Sequence, residues 1–164
     1  VKEPIYLTGF MGVGKTTVGG VLAEKLGRKL IDLDQYIEKK DGREIPAIFQ
    51  ESGEEAFRLL ELDAVRELRT EPHVIATGGG VVETSDVRME MKTSGTVIFL
   101  EAPFDTLFQR IEGDETRPLT KEGQTALKER YERRLPLYQE ADVIISTENR
   151  TPRETADEII RFIR

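Results

Sequence analysis

Gly9-Phe10-Met11-Gly12-Val13-Gly14-Lys15-Thr16 lies between the apolar run Ile5-Tyr6-Leu7 and a segment whose Val18, Val21, Leu22 and Leu26 recur at helical spacing. The octet fits the pattern G-x-x-x-x-G-K-[ST] at every position. In such a loop the glycines let backbone N–H groups turn inward around phosphate oxygens, the lysine reaches the outer phosphates, and the hydroxyl is placed to ligate Mg²⁺. A strand before it and an amphipathic helix after it supply the setting in which the helix N-terminus also attracts an anion. That context disfavours the alternative, a glycine-rich turn with an incidental lysine. Residues 9–17 are therefore expected to form a P-loop, and the phosphate to be a nucleotide's.

Working outward, short β-rich runs alternate with longer amphipathic segments. Ile5-Tyr6-Leu7-Thr8, Lys29-Leu30-Ile31-Asp32, Val74-Ile75-Ala76-Thr77, Thr96-Val97-Ile98-Phe99-Leu100 and Asp142-Val143-Ile144-Ile145-Ser146 are apolar without strict alternation. Such runs suit strands covered on both faces, hence a five-stranded parallel sheet wrapped by helices. Helix ends are also marked. Ser52-Gly53-Glu54-Glu55 and Thr151-Pro152-Arg153-Glu154 both read as capping boxes, the second with Pro at the first helical position. After Thr151, Ala156, Ile159, Ile160 and Ile163 form one apolar stripe, and Leu127, Tyr131, Leu135 and Tyr138 form another, which Pro136 should end or kink. The glycine-bounded, charged stretch 113–123 reads as an excursion from this regular pattern.

Composition narrows the partners. The 164 residues suit one domain with a full core. With 24 Lys+Arg against 31 Asp+Glu, the net charge of −7 argues against a sequence-independent grip on nucleic acid or an anionic membrane. There is no cysteine, so no disulfide frame, thiolate metal site or Cys nucleophile. The one histidine, His73, has no second His near it and reads as structural or solvated. No apolar run approaches the ~18 residues of a membrane span and no signal-peptide pattern opens the chain, so the expectation is a cytoplasmic protein with a small soluble partner.

The class of NTPase needs further residues. No N-K-x-D guanine signature is present, and the strand Val74-Ile75-Ala76 leads into Thr77-Gly78-Gly79-Gly80 where many ATPases carry an acidic metal-supporting residue. Asp32 and Asp34, beyond the second strand, are the candidates to replace it, because ligands collect beyond the carboxyl ends of such strands. Alternatively, Asp34 caps the helix that follows and Asp32 is solvated. Arg58 borders the Phe57, Leu60, Ala64, Leu68 stripe, so its stem can pack while its guanidinium faces a cleft, or it is a surface arginine beside Glu54 or Glu61. Thr77-Gly78-Gly79-Gly80 offers bare backbone for close approach to a ligand. Arg130, Arg133 and Arg134 crowd one helix, with 130 and 134 on one face, and arginine has the planar fork that recognises a carboxylate. Arg117, in the 113–123 excursion, could close over a transferring phosphoryl group.

Taken in order, "GFMGVGKTTVG", "DLD", "FR", "ATGGG", "TRPL" and "ERRLPLYQEAD" resemble the shikimate kinases, small P-loop kinases of the nucleoside-monophosphate-kinase fold, through nearly the whole chain. The resemblance implies a single P-loop kinase domain over 1–164, a three-layer α/β/α unit. It would phosphorylate the 3-hydroxyl of shikimate with ATP and Mg²⁺, as a monomer in the pathway to chorismate and the aromatic amino acids. It implies a shikimate-binding region at about 33–61, a lid at about 112–124 and an adenine-side loop at about 147–152. Residue by residue, Gly12, Val13, Gly14, Lys15, Thr16 and Thr17 would hold the nucleotide. Arg110 would stack on adenine, and Arg153 would stand at the end of the adenine-side loop. Arg117 would meet the phosphates, and Thr16 and Asp32 would support the metal. Asp34, Arg58, Gly79, Gly80 and Arg134 would hold shikimate, with Lys15, Asp34 and Arg117 as the catalytic set. Arg133 and Arg134 are adjacent, and the distance to Pro136-Leu137-Tyr138 selects Arg134. The rivals are a gluconate or nucleotide kinase, and a related protein that binds without catalysis. Lys15, Asp34 and Arg117 all being present disfavours the last.

Overall fold

The structure, a computed structural model, describes residues 3–112 and 121–163. Five short strands, β1 (Ile5–Thr8), β2 (Leu30–Asp32), β3 (Val74–Ala76), β4 (Thr96–Glu101) and β5 (Val143–Ser146), form one sheet in the order β2-β3-β1-β4-β5. Every pairing is parallel, with Tyr6 opposite Ile75 on one side and Val97 on the other. The helices are α1 (Lys15–Leu26), α2 (Leu33–Asp41), α3 (Ile45–Leu68), α4 (Ser85–Ser94), α5 (Phe104–Glu112), α6 (Lys121–Tyr138) and α7 (Pro152–Ile163). Among the described residues, no helix is long and apolar enough to cross a membrane.

The two sheet faces can be told apart from neighbouring side chains of β1, which point to opposite sides. Leu7 faces α1, where a Cβ on Gly19 would stand 3.2 Å from Leu7 Cδ1 and 2.9 Å from Leu30 Cδ1. Tyr6 faces α4, where its hydroxyl shares a 2.8 Å hydrogen bond with Ser94. Both faces are therefore covered, which is why β1 and β3 are apolar at consecutive positions: Ile5, Tyr6, Leu7, Val74 and Ile75 are all wholly buried. Helix α7 packs on α1, where Lys25 pairs with Asp157 at 2.8 Å.

This topology fixes where a ligand can sit. From β1 the chain crosses to β2 on one side, and from β3, beside β1, it crosses to β4 on the other. The crevice beyond the carboxyl ends of β1 and β3 is thus a topological switch point. The P-loop leaves β1 there and the glycine turn Gly78-Gly79-Gly80 leaves β3 there.

Several local expectations hold and others are corrected. The Thr151 box forms reciprocally: Thr151 N donates to Glu154 Oε1 and Glu154 N to Thr151 Oγ1, each at 3.1 Å. The Ser52 box does not form. The chain is already helical from Ile45, Gly53 breaks α3 with φ 88° and ψ 169°, and the Ser52 hydroxyl accepts from Arg43 at 3.0 Å. Helix α2 is capped by Asp32 rather than by Asp34: Gln35 N donates to Asp32 Oδ1 at 3.1 Å, which leaves Asp34 inside the first turn. Helix α6 ends at Tyr138, two residues beyond Pro136.

Candidate active site

At the switch point, two clefts of about 420 and 380 Å³ adjoin. The first is lined by Gly12, Gly14, Lys15, Thr16, Thr17, Asp32 and Arg110. The second is lined by Phe49, Phe57, Arg58, Glu61, Gly80 and Arg134. Met11, Asp34, Gly78 and Gly79 belong to both, so they form the wall between them.

The first cleft is built for phosphate. Gly12 and Gly14 have φ of 85° and 96°, a region that costs a side chain and that curls the loop's N–H groups inward. Helix α1 begins at Lys15, so the N–H groups of its first turn point at the same space. Lys15 Nζ donates to the Gly9 carbonyl at 2.5 Å, held against the loop it serves. The buried Val13 side chain anchors the loop from below, and Arg110 lies across it, donating to the Gly12 carbonyl at 3.1 Å. Thr16 Oγ1 donates to Asp32 Oδ2 at 3.3 Å, which brings two oxygen donors together at the N-terminus of α1. Among the described residues no group of three or more His, Cys, Asp or Glu could hold a metal ion. A pair of oxygens beside a phosphate site instead fits Mg²⁺, which keeps waters and takes its remaining ligands from substrate phosphates.

The second cleft is built around two arginines, Arg134 buried and Arg58 half-buried. Arg134 is 7% exposed and its guanidinium carbon stands 5.9 Å from the centre of the Phe10 ring. Arg58 lies over Phe57 at 5.4 Å and donates from Nη1 to Glu61 Oε1 at 2.7 Å. The Nε atoms of Arg58 and Arg134 are buried and have no hydrogen-bond partner among the described residues. Two planar cations lining one cleft can hold a carboxylate.

The glycine turn makes this crowding possible. A Cβ on Gly78 would lie 2.7 Å from Asp34 Oδ1, one on Gly79 3.3 Å from Arg134 Nη1, and one on Gly80 2.5 Å from Arg58 Nη2 and 3.0 Å from Arg134 Nη2. The missing side chains are thus replaced by the protein's own carboxylate and guanidinium groups. Tyr138, stacked on Phe99, donates its hydroxyl to the Gly79 carbonyl and ties the end of α6 to the turn. Gly78→Ala is expected to push the Asp34 carboxylate aside by several tenths of an ångström. Turnover should then fall about 10- to 100-fold, with ATP affinity by calorimetry unchanged. Full activity in this variant would mean that the position of Asp34 does not matter.

Charge in the wall is tuned by burial. Burial raises the Asp34 pKa, helped by the neighbouring Asp32 and opposed by Lys15. Glu61 is wholly buried and its Oε2 has no partner among the described residues; burial pushes it up to about 7 against the pull of Arg58. Below its ordinary value near 4.5 both the folded and unfolded chains hold this proton; between that value and about 7 only the folded chain does. Ligand-free protein should therefore lose stability as pH rises through this window, by about 3 kcal/mol from Glu61. Thermal melts from pH 5 to pH 8 test this, and Glu61→Gln should flatten the profile. An equally steep profile in the variant would assign the dependence elsewhere.

A family model described as shikimate kinase matches residues 11–164. The shikimate kinase of Persephonella marina is 47% identical over 98% of both chains, and that of Bacillus cytotoxicus 43% over 97% of both. The chain belongs to the shikimate kinase family. Among solved structures, a shikimate kinase from Acinetobacter baumannii in complex with shikimate is 40% identical, with a TM-score of 0.88 over 97% of this chain and 91% of that one. A gluconokinase from Sinorhizobium meliloti, 18% identical with a TM-score of 0.64, shares the fold.

Of the residues that the shikimate kinase resemblance singled out, the structure brings Gly12, Gly14, Lys15, Thr16, Thr17, Asp32, Asp34, Arg58, Gly79, Gly80, Arg110 and Arg134 to the two clefts. Between the adjacent arginines the geometry is unequivocal: Arg134 is buried in the cleft, while the Arg133 side chain is 62% exposed. Arg153 is exposed in the first turn of α7 and lines neither cleft. Arg117, with residues 113–120 of the expected lid, lies outside the described residues. Sequence reading weighed Glu61 only as a surface partner and missed Glu83 and the Tyr138 hydroxyl, which line neither cleft but contact groups that do. The i, i+3 spacing of Arg58 and Glu61 was the one local signal available.

Proposed function

We propose that this chain transfers the γ-phosphoryl group of ATP to the 3-hydroxyl of shikimate, giving ADP and shikimate 3-phosphate. The observation that carries the reading is the shared wall. A phosphate-binding cleft and a cleft with two carboxylate-recognising arginines meet at Asp34 and the glycine turn. Membership of the shikimate kinase family agrees with it.

In this reading Arg58 and Arg134 grip the carboxylate of shikimate, which turns the ring so that its reacting hydroxyl lies at Asp34. The raised proton affinity of Asp34 suits it to orient that hydroxyl and take its proton as the new P–O bond forms and the β–γ bridging bond breaks. The transition state leaves the protein little covalent work, so position and charge decide the rate. Lys15 and the N–H groups of the loop face the phosphates. Arg117 adds a further positive charge, Arg110 flanks the base, and Val13 contributes its backbone. Arg153 belongs to the adenine side. Thr16 and Asp32 would hold Mg²⁺, which neutralises phosphate charge when bound. We read residues 1–164 as one kinase domain, acting as a cytoplasmic monomer in the synthesis of aromatic amino acids.

The test is ADP release from Mg-ATP with shikimate, gluconate and nucleoside monophosphates as separate acceptors. Turnover with shikimate alone is expected. Preferred turnover of another acceptor would overturn the substrate, and nucleotide binding without any turnover would reduce the protein to a binder.

A further inference from the structure

Arg58 and Arg134 converge on Gly80 although both are cations, their Nη2 atoms 2.5 and 3.0 Å from the place of a Cβ there. Like charges held so close in a buried setting repel unless an anion lies between them. Glu83 is that anion. It ends the turn Val81–Glu83, where its N–H donates to the Gly80 carbonyl at 3.0 Å. Its Oε2 lies 3.1 Å from Arg134 Nη2 and 3.4 Å from Arg58 Nη2, while Oε1 accepts from exposed Arg133 at 2.8 Å. Glu83 is not among the residues that line the arginine cleft, and its carboxylate meets the two guanidinium groups at their Nη2 atoms, beside Gly80.

We propose that Glu83 is a positioning residue for substrate recognition: it sets the spacing of Arg58 and Arg134, the two cations that line the cleft and would meet a substrate carboxylate. This rests on the reading of that cleft given above. Arg58 Nη1 is held by Glu61 and both Nη2 atoms by Glu83, with Glu54 also 3.5 Å from Arg58 Nη2, and both arginines line the cleft. Arg133 is not a third clamp residue. It neutralises the outer oxygen of Glu83 and keeps the carboxylate oriented. Although burial raises the pKa of Glu83, hydrogen bonds and charge from Arg133 and Arg134 hold it below the ordinary carboxylate range. The 51-residue separation of Glu83 and Arg134 makes this a tertiary device that couples the glycine turn to α6.

Glu83→Gln tests it. The amide keeps the shape, but it removes the charge and turns an N–H₂ group toward one of the arginines. The KM for shikimate should rise about tenfold or more, with kcat at saturation and the KM for ATP within about twofold of wild type. Isothermal titration with shikimate and with its neutral carboxamide separates charge positioning from general loosening: affinity for the carboxylate should fall and that for the carboxamide should not. Glu83→Asp, anionic but shorter, should recover part of the loss, and it serves as the test if the Gln variant does not fold. An unchanged or lower KM for shikimate, or equal losses for both ligands, would overturn the role of Glu83. If wild-type protein does not turn over shikimate at all, the proposed function falls first.

Discussion

Asp34→Asn is expected to lower kcat by about 10²- to 10⁴-fold, the range over which a positioned acid–base group contributes. The carboxylate lies in the wall shared by the phosphate cleft and the arginine cleft, flat against Gly78 where a side chain would collide with it. Asparagine keeps nearly the same volume and can still accept a hydrogen bond from a ring hydroxyl, but it cannot take a proton. The loss should therefore fall on kcat, while the KM values for ATP and shikimate change little. Burial sets the Asp34 pKa above the ordinary carboxylate range. The acid limb of the wild-type pH–rate profile should accordingly lie at higher pH than for an exposed carboxylate. Steady-state kinetics on both proteins decide it. A variant with near-normal kcat would limit Asp34 to binding.

Arg134→Ala is expected to raise the KM for shikimate about 30-fold or more, the equivalent of 2 kcal/mol or more for a buried, hydrogen-bonded charge pair deprived of one partner. Arg134 is buried, lies over Phe10 and shares Glu83 with Arg58. Removing it deletes half of the carboxylate grip and also leaves Glu83 to compete for Arg58. Lysine at this position should recover little, because a point charge on a flexible stem reproduces neither the planar fork nor the contact with the ring. Arg133→Ala makes the contrast: an exposed side chain that meets the outer oxygen of Glu83 should cost much less. Normal shikimate kinetics in Arg134→Ala would falsify the clamp.

What could be read from the sequence divides by range of interaction. The P-loop was legible because its chemistry is contained in eight consecutive residues. The strands were legible to within a residue at each end because both sheet faces are covered and each strand is a short apolar run. The order β2-β3-β1-β4-β5 is not written in any such run, since it depends on which strands pair after the chain has crossed over. Local capping signals succeeded at Thr151, where the box closes on itself. They failed at Ser52, where Arg43 takes the hydroxyl and Gly53 breaks a helix already begun upstream.

In the site, Arg58 alone could as well have been a surface arginine. Its burial follows from Glu61 on the same helix and from Glu83, 25 residues away, which no window of sequence brings together. The glycine turn was read as room for a ligand. Its first use is to admit the side chains of Asp34, Arg58 and Arg134, a purpose visible only when those groups are placed.

The most direct test of the account is the structure of the product formed from ATP and shikimate. Phosphorus–proton correlation by NMR on the purified product should connect the new phosphate to the proton at carbon 3. That result follows if the arginine cleft holds the carboxylate end and Asp34 presents the neighbouring hydroxyl to the phosphate cleft. Phosphate on another hydroxyl, or shikimate recovered unchanged beside released ADP, would contradict this arrangement of the two clefts.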